Sequence, residues 1–100
     1  MLNMKLTEHG TEGELELGGR LDTTAAADAE KSILELTERF DSLIVDMARL
    51  EYVSSAGLRA LKRAHLAMRK KGGVLAVKNV NKAVMEVFEI TGFAGMLKFA

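Results

Sequence analysis

Leu43-Ile44-Val45-Asp46-Met47 is a continuous apolar run broken by one carboxylate, and shortly after it Val53-Ser54-Ser55-Ala56-Gly57-Leu58 opens a helical pattern. The first piece reads as a strand, buried on both sides if its neighbours are parallel. The second reads as the mouth of a helix opened by Ser54-Ser55. Downstream, Leu58, Leu61, His65 and Met68 recur at spacings of 3, 4 and 3, which is one helical face. Arg59, Lys62, Arg63, Arg69 and Lys70 fall mostly off that face. Gly72-Gly73 stops the helix, and Val74-Leu75-Ala76-Val77 is a second buried strand.

The same alternation extends both ways. Toward the C-terminus, Val80, Val84, Val87, Phe88 and Thr91 give a third helical face, Gly92 ends it, and Met96-Leu97-Lys98-Phe99 reads as a short last strand. Upstream, Ala26, Ala29, Ile33, Leu36 and Phe40 share one face, with Thr23 and Thr24 as N-cap candidates. Leu2, Met4 and Leu6 alternate with polar residues, as do Leu15 and Leu17. The glycine-bearing turn His9–Gly13 between them predicts an antiparallel hairpin, and Gly18-Gly19 marks an end or a bend. The order is β-β-α-β-α-β-α-β. Helices between apolar strands require right-handed crossovers, so the fold class is α/β, a mixed and mostly parallel sheet of about five strands in one domain spanning residues 1–100.

Composition narrows the function. The 100 residues carry 14 Lys/Arg and 14 Asp/Glu, without the basic excess of a dedicated nucleic-acid binder. With no Cys, a disulfide scaffold, a thiol nucleophile and a Cys-ligated zinc site are excluded. No apolar run approaches the ~20 residues that span a bilayer, and Met1–Lys5 opens no long signal-peptide core, so a soluble cytoplasmic domain is expected. The even balance hides an asymmetry: residues 1–53 hold five Lys/Arg against twelve Asp/Glu, and residues 54–100 hold nine against two. This is either ordinary solvated charge or one basic face for an acidic partner.

Ser55 carries two compatible readings. As a serine at a helix mouth it is a cap, contributing about 1 kcal/mol. As a phosphoacceptor it would place about −1.5 to −2 charge where a helix N-terminus favours it. A hydrolytic nucleophile is disfavoured. Ser-Ser-Ala-Gly is not the Gly-x-Ser-x-Gly elbow, and the only bases are His9, in a turn, and His65, on a core face. Asp22 and Asp46 read as helix-terminal or turn carboxylates; a metal or general-acid role would need a second carboxylate or His converging on them, and neither a metal nor a cofactor is expected. Arg69-Lys70-Lys71 complements a helix C-terminus. The six Met residues are mostly core filler, with Met85 and Met96 candidates for an interaction surface.

These segments resemble a STAS domain of the bacterial anti-sigma factor antagonist family. Gly19-Arg20-Leu21-Asp22-Thr23-Thr24-Ala25 resembles the family's segment leading into the first helix. Leu43–Met47 followed by Val53-Ser54-Ser55-Ala56-Gly57-Leu58 resembles its central strand and Ser-Ser-Ala-Gly-Leu signature. Gly72-Gly73-Val74-Leu75 and Val84-x-x-Val87-Phe88-x-x-Thr91-Gly92-Phe93 resemble the later strand and helix. Ser54 and Ala56 stand where sporulation-type members carry Asp and Ser, and the chain ends at Ala100 with little room for the family's final helix.

The resemblance implies a non-enzymatic binding module. Its unphosphorylated form binds an anti-sigma factor serine kinase and frees a sigma factor; phosphorylation switches it off and a serine phosphatase restores it. It implies Ser55 as the phosphoacceptor, with Ser54 the competing one. The expected partner surface comprises Asp22, Thr23, Thr24, Ser54, Ala56, Gly57, Arg59 and Lys62, without direct nucleic acid and without membrane insertion. The alternative within the family is a non-switching subunit that binds the ATPase of an ABC-type lipid transporter. The sequence leaves the oligomeric state open.

Overall fold

A computed structural model describes residues 2–100. The elements run β1 (Leu2–His9), β2 (Glu12–Leu21), α1 (Thr23–Arg39), β3 (Ser42–Val53), α2 (Ser55–Lys70), β4 (Val74–Lys78), α3 (Lys82–Ile90), a short 3-10 turn (Phe93–Gly95) and β5 (Lys98–Phe99). The five strands lie side by side in chain order. β1 and β2 are antiparallel and all other neighbours are parallel. The expected class and element order are what the chain forms.

Only one face of the sheet is packed. Leu15, Leu17, Leu43, Val45, Met47, Leu75 and Val77 point into a core closed by Ala29, Ile33 and Leu36 of α1, Leu58, Leu61, Ala64 and Met68 of α2, and Phe88 of α3. The opposite face carries Glu14, Glu16, Ile44, Asp46 and Lys78 at partial exposure, tied by a 2.8 Å ion pair between Lys78 and Glu14. Ile44 is therefore not buried on both sides, because no helix covers the side it faces.

β3 is much longer than the apolar run suggests. Its pairing with β4 ends at Asp46–Lys78, but its pairing with β2 continues to Leu21–Val53 through two irregularities. At each, β3 carries one extra residue, so the buried positions move from alternation to Met47, Leu50 and Val53. Gly19, at φ 87, lies where the second irregularity bends β2, a conformation an L side chain rarely adopts. The freed edge of β3 is partly satisfied by Asn81, which donates to the Leu50 carbonyl and caps α3 by accepting from the Val84 N–H at 2.9 Å.

Other expectations shift by a few residues. Phe40 belongs to the core but lies one position past α1 as its C-cap. Val80 precedes α3, and only Lys98 and Phe99 of the last apolar stretch pair with β4, after the 3-10 turn. Lys71 complements a helix C-terminus, though not only its own. Its ammonium donates to the Thr37 and Phe40 carbonyls at 2.8 and 3.1 Å, satisfying the end of α1.

Candidate functional site

The parallel pair β2–β3 ends in register at Leu21–Val53, and each strand feeds a helix almost at once. The Ser54 N–H donates to the Leu21 carbonyl at 2.9 Å, fastening the two strand ends together. The N-termini of α1 and α2 thus open side by side at one edge of the domain, and their helix dipoles add there.

Each helix has a side-chain cap, and in both cases it is the residue before the expected one. Asp22, not Thr23 or Thr24, caps α1: its Oδ1 accepts from the Ala25 N–H at 3.0 Å. Thr23 and Thr24 sit in the first turn with exposed side chains. Ser54, not Ser55, caps α2: its Oγ accepts from the Gly57 N–H at 3.1 Å. The physical reason is position. A cap residue keeps extended backbone, and Asp22 and Ser54 are the last extended residues at ψ −177 and 171.

The adjacent serines consequently have opposite surroundings. Ser54 is 8% exposed and its hydroxyl is occupied. Ser55 is the first residue of α2 and is exposed. Ala56 is half-buried and Gly57 buried. A Cβ on Gly57 would lie 2.7 Å from Leu21 Cγ, 2.8 Å from the Leu21 carbonyl oxygen and 3.1 Å from Val53 Cγ2, so only glycine lets the first turn of α2 seat against the paired strand ends. Of the expected surface, Thr23, Thr24, Arg59 and Lys62 are open to solvent, while Ser54 and Gly57 are covered by the chain itself and hold Ser55 in place.

Two features here were not read from the sequence. Arg20 lies 4.4 Å over the Tyr52 ring, paired across the strands one step before Leu21–Val53. A groove also runs from the first two turns of α2 to the end of α3, lined by Leu58, Arg59, Lys62, Thr91, Phe93 and Met96; the sequence singled out Arg59, Lys62 and Met96 as interaction residues but not the groove that brings them together. Met85 and Met96 are half-buried against the core. Asp46 is outside the site, accepting from the Ala48 N–H at 3.0 Å and from Asn79 Nδ2 at 3.1 Å. His65, also apart from it, is buried with Nδ1 unpartnered, and its pKa is lowered from 6.5 by burial and then by the Arg69 charge. Among the described residues no cluster of three or more His, Cys, Asp or Glu is placed to hold a metal ion, and no helix is long and apolar enough to cross a membrane.

Comparison with known proteins matches residues 3–100 to the STAS domain model. The chain is 34% identical over 101 residues to BtrV of Bordetella bronchiseptica, a proposed anti-sigma factor antagonist, covering 97% of this chain and 86% of that protein. It superposes on the crystal structure of an anti-sigma factor antagonist from Mycobacterium paratuberculosis with a TM-score of 0.87 at 19% identity, covering 99% of this chain and 85% of that one. It superposes on SpoIIAA of Bacillus in its phosphorylated form with a TM-score of 0.76 at 18% identity, covering 98% and 91%.

Proposed function

The chain belongs to the STAS-domain family, and from that membership we propose that it is an anti-sigma factor antagonist switched by phosphorylation of Ser55. The observation that carries the reading is the division between the two serines: one hydroxyl is buried in the cap, and its neighbour is exposed at the start of α2. A kinase needs an acceptor it can reach, and a phosphate at a helix N-terminus is favoured by the unpaired N–H groups and the dipole. The name of BtrV supports the antagonist role, and SpoIIAA, which shares the fold, exists in unphosphorylated and phosphorylated forms.

The mechanism is binding and its prevention, with no bond made or broken by this chain. In the unmodified state the open edge around Thr23, Thr24 and Ser55 and the outer face of α2 meet an anti-sigma factor of the serine-kinase type, in the cytoplasm, and the sigma factor is released. Phosphorylation adds about −1.5 to −2 charge at the centre of that surface. Burying such a charge against a close-packed partner without a cationic mate costs several kcal/mol, and about 1.4 kcal/mol is tenfold in affinity. A serine phosphatase returns the chain to its binding state.

The test compares wild-type, Ser55→Ala and Ser55→Asp chains as baits in lysate of the source organism, followed by affinity measurement on the recovered protein. The reading expects a kinase-type anti-sigma factor with wild type and Ser55→Ala, loss of it with Ser55→Asp, and no phosphate transfer to Ser55→Ala. Equal affinity of the Ala and Asp variants overturns the switch. An ABC-type ATPase recovered with both overturns the antagonist reading in favour of a transporter subunit.

A further inference from the structure

We propose that the groove between α2 and the Thr91–Met96 segment is the docking site for an acidic, amphipathic segment of the partner protein, with Ser55 at its upper lip. This names the chemistry of the partner in the antagonist reading above and rests on that reading for the role of Ser55.

Charge is the first argument. On the same helix, Arg63 is already neutralised by Glu30 at 2.7 Å. Arg59 and Lys62 are exposed and, among the described residues, have no carboxylate within ion-pair distance. Both line the groove, so its rim carries two uncompensated positive charges.

The groove itself is the second. Leu58 and Phe93 are buried and supply an apolar floor, with Met96 half-buried beside them. Ile90, next to Thr91 in the chain, is 85% exposed, more than any other large apolar side chain among the described residues. The free volume is about 220 Å3, below the roughly 300–1,000 Å3 of a small-molecule site but enough to take an anchoring side chain. A floor that accepts an apolar anchor between two cations fits a helix or strand presenting Leu- or Met-like residues flanked by Asp or Glu. The net charge of zero and the burial of Phe93 do not fit a nucleic-acid backbone or stacked bases.

The position of Ser55 ties the groove to regulation. Ser55, Leu58, Arg59 and Lys62 stand at i, i+3, i+4 and i+7 on α2, one stripe of the helix. A phosphate on Ser55 therefore stands one turn above the place where the partner's carboxylates would meet Arg59. It repels them and offers Arg59 an alternative anion. A modification at this point discriminates against an acidic partner in particular.

The experiment pans a phage-displayed library of random dodecapeptides against the full-length chain and maps the enriched peptides by amide NMR shifts. The expected peptides carry apolar anchors flanked by Asp or Glu, and shift residues 58–62 and 91–96. Their affinity falls about tenfold or more in the Arg59→Glu/Lys62→Glu variant and in Ser55→Asp, and weakens with added salt. The milder Arg59→Gln/Lys62→Gln variant, checked by circular dichroism, gives a smaller loss in the same direction. No enrichment, enrichment of neutral or basic peptides, shifts centred elsewhere, or unchanged affinity in the charge variants overturns the proposal. Failure of the switch reading is separate: it appears as full anti-sigma factor affinity in Ser55→Asp while the peptide result stands.

Discussion

Gly57 of α2 sits so close to Leu21 of β2 that a Cβ on it would lie 2.7 Å from the leucine Cγ and 2.8 Å from its carbonyl oxygen. That carbonyl also receives the Ser54 N–H, so it cannot retreat without unfastening the strand ends. Gly57→Ala overpacks a fixed seat, and such insertions cost about 1–3 kcal/mol. For a domain of this size that lowers Tm by roughly 4–8 °C per kcal/mol. Thermal unfolding followed by circular dichroism measures it, and an unchanged Tm would show that α2 can lift freely from the strands.

The two serines separate in stability as they do in burial. Ser54→Ala removes the acceptor for the Gly57 N–H and costs about 1 kcal/mol. Ser55→Ala removes an exposed hydroxyl that water can replace, a change within about 0.5 kcal/mol. Urea unfolding of both variants gives the comparison. A larger loss at Ser55 than at Ser54 would reverse the assignment of the cap.

Lys71→Met tests the clamp between the two long helices. The variant keeps most of the aliphatic stem but leaves the Thr37 and Phe40 carbonyls without their donor. The lysine side chain is 34% exposed, so water replaces part of what is lost and the cost is about 1 kcal/mol. Hydrogen exchange at the C-terminal turn of α1 should speed up ahead of the rest of the domain; uniform exchange would deny Lys71 a local role.

Protonation of His65 opposes folding. Burial, then the Arg69 charge, holds its pKa below the 6.5 of the unfolded chain. Above 6.5 both states are neutral and there is no penalty. As pH falls below 6.5 the unfolded chain takes a proton that the folded one resists, so stability drops until the folded pKa is passed. The urea midpoint is therefore expected to fall between pH 7.5 and 5.5, and His65→Leu, which also removes the unpartnered Nδ1, should flatten that slope. An equal slope in the variant would place the proton uptake elsewhere.

Periodicity made the helices legible. Ala26, Ala29, Ile33 and Leu36, and Leu58, Leu61, His65 and Met68, are all buried as their spacing required. The strand-to-helix junction at Ser54-Ser55 was legible too. The caps were displaced by one residue because Asp, Ser and Thr can all cap; which one does so depends on where the backbone leaves the extended region. β3 was cut short because its extra residues change the burial period from two to three over Met47, Leu50 and Val53, a pattern that alternation cannot detect. Lys71 at the end of α1 and the groove at the end of α3 are contacts between elements distant in the chain, and nothing local announces them.

Spatial order in the sheet repeats chain order, from β1 at one edge to β5 at the other. Each new strand adds beside the one made just before it, with a single intervening helix or turn. No strand has to be left open for a later one to be inserted, so the sheet can be laid down from the amino end as the chain is synthesised. Pairings between near neighbours in sequence keep loop closure cheap and folding fast. Once β4 has emerged from the ribosome, the first two crossovers and the α1–α2 edge can be complete before α3 and β5 are needed.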